Sequence, residues 1–378
     1  MTRKPENGTA ATNSVPTARV TAQVAKLRAQ IDKLDQQILK LVNERAACAQ
    51  EIGQHKTEQG TEFFSPVREE EIIQAALANS PGPLQPMTVR SIFRELISGC
   101  RSLQQVLKVS YLGPEYSFSH LAAIERFGTG VDFLSVGSIM AVFEEVNRGH
   151  VDFGVVPLEN SNDGRIADTL DMFIRLPQIK VCAEVRLRVH HHLMANCPQS
   201  EIRRIYSNSQ ALGQCRIWLS KNVPHAQLVP VTSTSIAAEL AQREPGAAAV
   251  ASRQASVKYG LKLLFSDIED NPANETRFAV LGKQPAERGP HNKTALMILA
   301  THQPGSLLDI LNVFKQNKIN LSMIESFPSR SEKQKYVFFM DFEGHVDEPK
   351  TKRTVEGLQK LCDKLVVLGS FPTGDLLE

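Results

Sequence analysis

Val151-Asp152-Phe153-Gly154-Val155-Val156-Pro157-Leu158-Glu159-Asn160-Ser161-Asn162-Asp163-Gly164 is the stretch that decides the fold. Its first half is largely apolar, and its second half is polar and ends on glycine. A short apolar run bounded by turn residues reads as a buried strand. The strand, over Val151–Leu158, runs into a loop over Glu159–Gly164, and a helix follows. Strand, polar loop and helix make up the unit of an α/β domain.

The unit recurs four more times between residues 108 and 282. Val109–Leu112 leads through Gly113–Ser119 to a helix near His120. Ile202–Tyr206 leads through Ser207–Gln210 to a helix over Ala211–Leu219. Leu228–Val231 leads through Thr232–Ser235 to Ile236–Ala241, and Ala247–Ala251 through Ser252-Arg253 to a further helix. Such sheets bind ligands beyond the carboxyl ends of their strands, where helix N-termini present free N–H groups to anions. Helix capping alone explains any single hydroxyl- or amide-bearing loop. The whole series points to a crevice for a small oxygenated anion.

Taken in order, these loops resemble prephenate dehydratases. The carriers are Gly113-Pro114 with Ser117-Phe118-Ser119, Val156 through Ser161 with Gly164, and Tyr206-Ser207 with Gln210-Ala211-Leu212. Ser233-Thr234 and Asn274-x-Thr276-Arg277-Phe278 complete the set, and the last is the most specific. The resemblance implies a dehydratase domain over 107–283, with two α/β lobes around a cleft as in periplasmic binding proteins. Residues near 187–258 should form the second lobe. Prephenate would lose carbon dioxide and a ring hydroxyl to give phenylpyruvate, with aromatisation supplying most of the driving force.

By the same resemblance Thr276 is catalytic, as acid or hydrogen-bond donor to the departing hydroxyl. A threonine hydroxyl is a poor acid at neutral pH, which favours donation in the transition state over full proton transfer. Glu159, Asn160, Ser161, Ser207, Gln210, Thr234, Arg277 and Phe278 are the expected substrate-binding residues. Arg277 has a structural ion pair as its alternative. The sequence departs from the family at Tyr116, where a glycine is common, and at Asn208-Ser209, where His-Pro is frequent.

Upstream, apolar residues at Val24, Leu27, Ile31, Leu34, Ile38 and Leu41 alternate by three and four, the seam of a long helix. Carried to Lys56, that helix is about 50 Å long, and it needs a partner, most economically from a second copy of the chain. Arg45 falls on the extended seam and Lys56 lies roughly 20° from it around the helix. Solvated helix charges are the bland reading of Arg28 and Lys56. Two further helices follow, from Pro66 and from beyond Pro83.

Leu27-Arg28, Asn43-Glu44-Arg45, Gly53-x-x-Lys56, Pro66-x-Arg68-Glu69 and Gln104 resemble the all-helical chorismate mutases. Membership implies an intertwined homodimer over 21–106, in which Arg28 reaches the partner's site. Arg45 and Arg68 would hold carboxylates or the ring hydroxyl region, and Glu69 the hydroxyl. Lys56 and Gln104 would donate to the ether oxygen of the breaking bond; Arg45, Lys56, Gln104 and Thr276 are the expected catalytic set. A one-step rearrangement of a dianion needs no nucleophile, only conformer selection and charge stabilisation. Ser65 and Cys100 stand at two often-polar positions and receive no role.

Downstream, a breaker-rich linker over 284–292 precedes a βαββαβ pattern over 293–378 that resembles the ferredoxin-like ACT domain. Pro304-Gly305-Ser306-Leu307 and Ile324-Glu325-Ser326-Phe327-Pro328 match its phenylalanine-binding motifs. That implies an allosteric phenylalanine site at Gly305, Ser306, Leu307, Glu325, Ser326 and Pro328. Ser306 and Phe327 replace the usual alanine and arginine.

Composition fits this multidomain reading. The 378 residues carry 43 basic against 41 acidic side chains, net +2, which gives no electrostatic reason to expect nucleic acid or a membrane surface. Six scattered cysteines suggest a reducing, cytoplasmic setting. Residues 1–20 lack a signal's apolar stretch and read as a disordered tail. His190-His191-His192 invites a metal, but strand neighbours point to opposite faces and no carboxylate pattern completes a site, so neither metal nor cofactor is expected. The leading expectation is a bifunctional enzyme of phenylalanine biosynthesis, dimeric or tetrameric, taking chorismate and prephenate and inhibited by L-phenylalanine. The alternatives are a non-catalytic sensor and an enzyme with one dead site.

Overall fold

The computed structural model describes residues 18–59, 64–162, 164–328, 335–374 and 376–377. Residues 1–17 of the expected tail lie outside the described residues, and 18–20 are already helical. The first helix, α1 (Ala18–Gln59), starts earlier than its apolar seam because the run contains no proline and only one glycine, Gly53. It spans about 63 Å at ~1.5 Å per residue. Helix α2 (Pro66–Ala78) starts on Ser65, whose Oγ accepts from the Arg68 N–H, with Pro66 in the first turn. Helix α3 (Pro86–Ser102) pairs with α2 and buries Val89, Ile97 and Cys100. The α1 seam finds no such cover: Leu27, Ile31, Leu34, Ile38 and Leu41 remain 54%, 54%, 55%, 58% and 64% exposed.

The expected α/β lobe follows as β1 (Lys108–Leu112), α4 (Phe118–Phe127), β2 (Asp132–Val136), α5 (Ile139–Arg148) and β3 (Phe153–Asn160). The β2–α5 unit is additional to the five read from the sequence. Strand β3 runs two residues into the expected loop before β4 (Gly164–Arg165) turns back along it, then α6 (Ala167–Arg175) and β5 (Lys180–Arg188) complete the run. The chain then crosses to a second lobe and returns.

That lobe contains β6 (His192–Ala195), β7 (Arg204–Asn208), α7 (Ser209–Gln214), α8 (Arg216–Asn222), β8 (Gln227–Val231), α9 (Thr234–Arg243), β9 (Ala247–Ala251), α10 (Arg253–Tyr259) and β10 (Lys262–Phe265). The single helix expected over 211–219 is broken at Cys215. Asp270 explains the break: its carboxylate accepts from the Ile217 and Trp218 N–H groups and starts α8 as a new helix. Strand β11 (Glu275–Gly282) returns to the first lobe, antiparallel to both β3 and β5. The strand order of the second lobe is β10-β6-β9-β7-β8.

The last region is β12 (Asn292–Ala300), α11 (Ser306–Gln316), β13 (Leu321–Pro328), β14 (Tyr336–Glu343), α12 (Pro349–Gln359) and β15 (Cys362–Pro372), in sheet order β13-β14-β12-β15. This is the expected βαββαβ domain. Strand β16 (Leu376–Leu377) leaves it and adds to the first lobe beside β5 in parallel, giving the order β16-β5-β11-β3-β1-β2. The two domains share one core: Met297, Val337, Phe339, Leu368 and Phe371 pack in a continuous cluster with Val142, Phe143, Leu170 and Phe173. Among the described residues no helix is long and apolar enough to cross a membrane.

Candidate functional site

The end of β3 and the start of β11 meet at one edge of the first lobe. In-register pairing sets Thr276 opposite Asn160. Asn160 Nδ2 donates to Thr276 Oγ1 at 2.8 Å and lies 3.2 Å from Asn274 Oδ1. Asn274 Nδ2 donates to Gln214 Oε1 at 3.0 Å, and His191 Nε2 reaches the same oxygen at 2.9 Å. A carbonyl oxygen accepts only, so His191 carries its proton on Nε2. Ser161 fixes the adjacent backbone, its Oγ accepting from the Glu275 N–H at 3.0 Å.

This chain of amides has a consequence at its end. Thr276 Oγ1 accepts from Asn160, so its own proton is available for donation outward. The side chains sit at the crossing between the lobes, which the chain traverses at 189–191 and 266–274. His191 and Gln214 carry no signal as a pair in the sequence, because 23 residues separate them. Asn274 was legible within its motif.

The second lobe closes over the loop after β1. Tyr116 adopts φ 64°, a backbone region that costs a glycine nothing and a tyrosine of order 1–2 kcal/mol. Its N–H donates to His120 Nδ1 at 3.0 Å, its carbonyl accepts from Ser252 Oγ at 3.5 Å, and the Lys258 ammonium lies 5.3 Å from its ring centre. The family's usual glycine is thus replaced by a side chain that bridges the lobes. On the second lobe, Thr234 is buried at the start of α9, which Ser233 caps, and Gln210 is exposed on α7.

Four expected substrate residues are placed otherwise. Phe278 is 1% exposed and packs with Val109, Tyr111 and Val185 in the core, because strand alternation puts it on the same face as Thr276, two residues deeper in the sheet. Ser207 is wholly buried and donates to the Val250 carbonyl at 2.6 Å, tying β7 to β9. Arg277 takes its structural alternative. Its guanidinium donates to Glu159 at 2.9 Å, to Asp341 at 3.1 Å and to Glu184, while Glu159 also meets Arg165 at 3.1 Å. Neighbours on a strand face opposite ways, so Thr276 faces the amide cluster and Arg277 faces β14 of the last domain. Burial would lift the Glu184 carboxyl, but Arg277 and Lys293 overcome it and hold it below the usual range. Burial wins at Asp341, which is raised despite Arg277 and Arg165.

Arg165 extends this network to Glu325 of the second effector motif, 3.9 Å away. Phe327 packs its edge on Phe339, 6.0 Å between ring centres, within the shared core. At the other motif Gly305 takes φ 91° ahead of α11, and the Ser306 hydroxyl lies 3.0 Å from Thr301 Oγ1. Strand β14 lies between β12, which leads to that motif, and β13, which carries the other.

In the helical region Gly53 and Gln104 are in close contact. A Cβ added to Gly53 would lie 2.6 Å from Gln104 Cγ, so only glycine lets Gln104 settle one turn from half-buried Lys56. Lys56 opens onto a cavity of about 990 Å³ lined also by Thr57, Phe64 and Gln105. Arg45 is half-buried; Arg28 is exposed and, 28 residues before Lys56, stands about 42 Å away along the helix. Arg68 is exposed beside Glu71, and Glu69 pairs with buried Arg101, which sequence reading did not single out.

The histidine run also differs from expectation. The fold brings Asp267 and Glu269 beside His190, all three ligand atoms within 4.8 Å of one another. Glu269 is already engaged there, accepting from His190 at 2.6 Å and from the His191 N–H at 2.9 Å.

Comparison with known proteins matches each region. A chorismate mutase type II family model matches residues 27–105, a prephenate dehydratase model 109–286 and an ACT domain model 294–359. A bifunctional chorismate mutase/prephenate dehydratase of Pseudomonas aeruginosa is 41% identical over 341 residues, 88% of this chain and 93% of its own. The Aquifex aeolicus protein of that name is 38% identical over 345 residues, 90% and 95%. The crystal structure of Arthrobacter aurescens prephenate dehydratase in complex with L-Phe superposes with a TM-score of 0.66 at 29% identity, covering 70% of this chain and 90% of its own.

Proposed function

The chain belongs to the bifunctional chorismate mutase/prephenate dehydratase family, and from that membership we propose how its own residues divide the two steps. It is an enzyme of phenylalanine formation: chorismate is rearranged to prephenate, and prephenate is dehydrated and decarboxylated to phenylpyruvate.

For the second step Thr276 donates its hydroxyl proton as a hydrogen bond to the departing ring hydroxyl. The observation that carries this is the Asn160 amide donating into Thr276 Oγ1, which leaves that proton free. Asn160 and Ser161 hold the catalytic strand, and Gln210 and Thr234 contact the substrate from the second lobe. For the first step Lys56 and Gln104 donate to the ether oxygen, and Arg45 and Arg68 attract the substrate's carboxylates. Glu69 joins them once substrate competes for it with Arg101.

Arg28 serves the partner's site in a homodimer. About 42 Å of helix and an uncovered seam support that arrangement. L-phenylalanine inhibits through the motifs at Gly305–Leu307 and Glu325–Pro328, where Ser306 and Phe327 modify the pocket. Because β14 separates the two motifs in one chain, each effector site draws on two copies. All six cysteines are free thiols, which suits the cytoplasm.

Supplying the purified chain with chorismate tests the reading: phenylpyruvate should appear, and added L-phenylalanine should slow it. Binding of chorismate without turnover would refute it.

A further inference from the structure

Where the chain crosses between the lobes, a buried negative charge lacks a fixed cation. The Glu269 side chain is only 2% exposed, and among the described residues no lysine or arginine lies within ion-pair distance of it. One of its oxygens accepts from the His191 N–H at 2.9 Å, and the other meets His190 Nδ1 at 2.6 Å. A second carboxylate joins them: Asp267 Oδ1 lies 3.6 Å from His190 Nδ1 and 3.6 Å from His192 Nδ1. His192 supplies no charge at that atom, because its Nδ1 accepts the Asp267 N–H at 3.2 Å. Arg253 acts on His192 but pairs with neither carboxylate. Two carboxylates therefore face one imidazole, and the balance stays negative even with His190 protonated. Buried charges of this kind are normally paired or bound to a metal.

The donor geometry suits the second solution. The ligand atoms of His190, Asp267 and Glu269 all lie within 4.8 Å of one another. A zinc-class ion binds imidazole nitrogen and carboxylate oxygen at about 2.0–2.2 Å, which sets tetrahedral ligands roughly 3.3 Å apart. The separations of 2.6 Å and 3.6 Å from His190 Nδ1 bracket that spacing, so small side-chain rotations suffice. His190 is 31% exposed and Asp267 58% exposed, which leaves an entry path and room for water as further ligands. An imidazole with so few oxygens fits zinc, cobalt or nickel better than magnesium or calcium. Sequence spacing hid the set, because 79 positions separate His190 from Glu269.

We propose that His190, Asp267 and Glu269 form a binding site for a zinc-class divalent cation at the lobe crossing. The ion takes the place of the proton between His190 and Glu269, and water completes its coordination. It clamps together two crossing segments that the Ile268 N–H already joins by donating to the His191 carbonyl at 2.8 Å. Glu269 also holds the backbone of His191, whose ring reaches Gln214 in the Thr276 network. Occupancy therefore bears on the dehydratase and not on the mutase.

Calorimetric titration of the chelator-treated full chain with Zn²⁺ tests this on wild type, Asp267→Asn and His190→Gln. Asparagine suits position 267, where φ is 54°, a region that Asn and Asp tolerate. Wild type should bind one ion at this site with release of a proton, and each variant should weaken that binding by roughly ten-fold or more. Both variants should still form phenylpyruvate from prephenate without metal, which shows that they fold. The six free thiols are rival ligands, and Co²⁺ separates them: thiolate ligation adds an intense charge-transfer band that a nitrogen–oxygen set lacks.

Two results would overturn the site. If wild type and Asp267→Asn bind Zn²⁺ equally, the ion sits elsewhere on the chain. If wild type binds none, His190 and Glu269 form a plain hydrogen-bonded pair.

Discussion

Asn160 and Thr276 face each other across adjacent strands, and the Asn160 amide donates to the Thr276 hydroxyl at 2.8 Å. The asparagine fixes the direction of the hydrogen bond, because an amide N–H can only donate. Strand pairing supplies the position, and the amide supplies the polarity.

Thr276→Ala should therefore lower dehydratase kcat by roughly 10²–10³-fold and leave chorismate consumption unchanged. Thr276→Ser should keep most of the activity. Asn160→Asp is isosteric but accepts the threonine proton, so it should impair the same step. Phenylpyruvate formation from prephenate measures all three. Loss of both activities from a folded Thr276→Ala protein would contradict the two-site reading.

Gly53→Ala should damage the mutase alone. Its new Cβ would meet Gln104 Cγ at 2.6 Å and displace the amide from its place near Lys56. A displacement of about 1 Å can cost ~100-fold. Alanine raises helix propensity by up to about 1 kcal/mol, so the midpoint of unfolding should not fall. Chorismate turnover alongside a thermal melt separates lost geometry from lost fold.

The uncovered seam of α1 predicts a dimer that depends on it. Leu34→Glu with Ile38→Glu should shift the molecular mass measured by light scattering toward the monomer. Mutase activity should go with it, because Arg28 would no longer reach a partner's site. Dehydratase activity, built within one chain, should persist. A dimer that survives both charges would move the interface elsewhere.

The arginine network predicts where regulation can be cut. Glu325→Gln removes the effector-side carboxylate near Arg165 and should weaken phenylalanine inhibition a few-fold, within the roughly 5–150-fold range of allosteric couplings, with kcat unchanged. Arg277→Met leaves Glu184 and Asp341 without their shared cation and should destabilise the protein by about 3–5 kcal/mol. Inhibition curves and denaturant melts distinguish coupling from support.

Stability should fall in mild acid. Burial holds the imidazoles of His120, His191 and His192 below their ordinary pKa, with Glu115, Gln214 and Asp267 opposing only partly. The unfolded chain takes up those protons near pH ~6.5, before the folded one does. The stabilisation is complete above that pH and is lost as pH falls through the depressed folded values. Melting temperatures between about pH 7.5 and 5.5 should drop, and His191→Gln should flatten the slope.

Much of this was legible locally. The seam from Val24 to Leu41, the repeated strand–loop–helix unit and the βαββαβ pattern each depend on spacing within a few turns. Asn160 and Thr276 were both found as motif members. Arg277 could not be resolved between substrate and structure, because its three carboxylate partners come from β3, β5 and β14. Phe278 and Ser207 shared motifs with site residues but point into the interior. Their burial follows from the depth of Phe278 along β11 and from the β7–β9 pairing.

The sequence by itself determined the three regions, their order, and the residue types gathered along each loop. Periodicity, capping and turn chemistry act over a few residues, so they are written in the chain. Tertiary structure alone decided that Asn160 polarises Thr276, that Arg277 faces the regulatory domain, and that Gln104 rests on Gly53. Those relations join residues 51 to 116 positions apart, and only strand register and domain packing bring such residues within hydrogen-bond or contact distance.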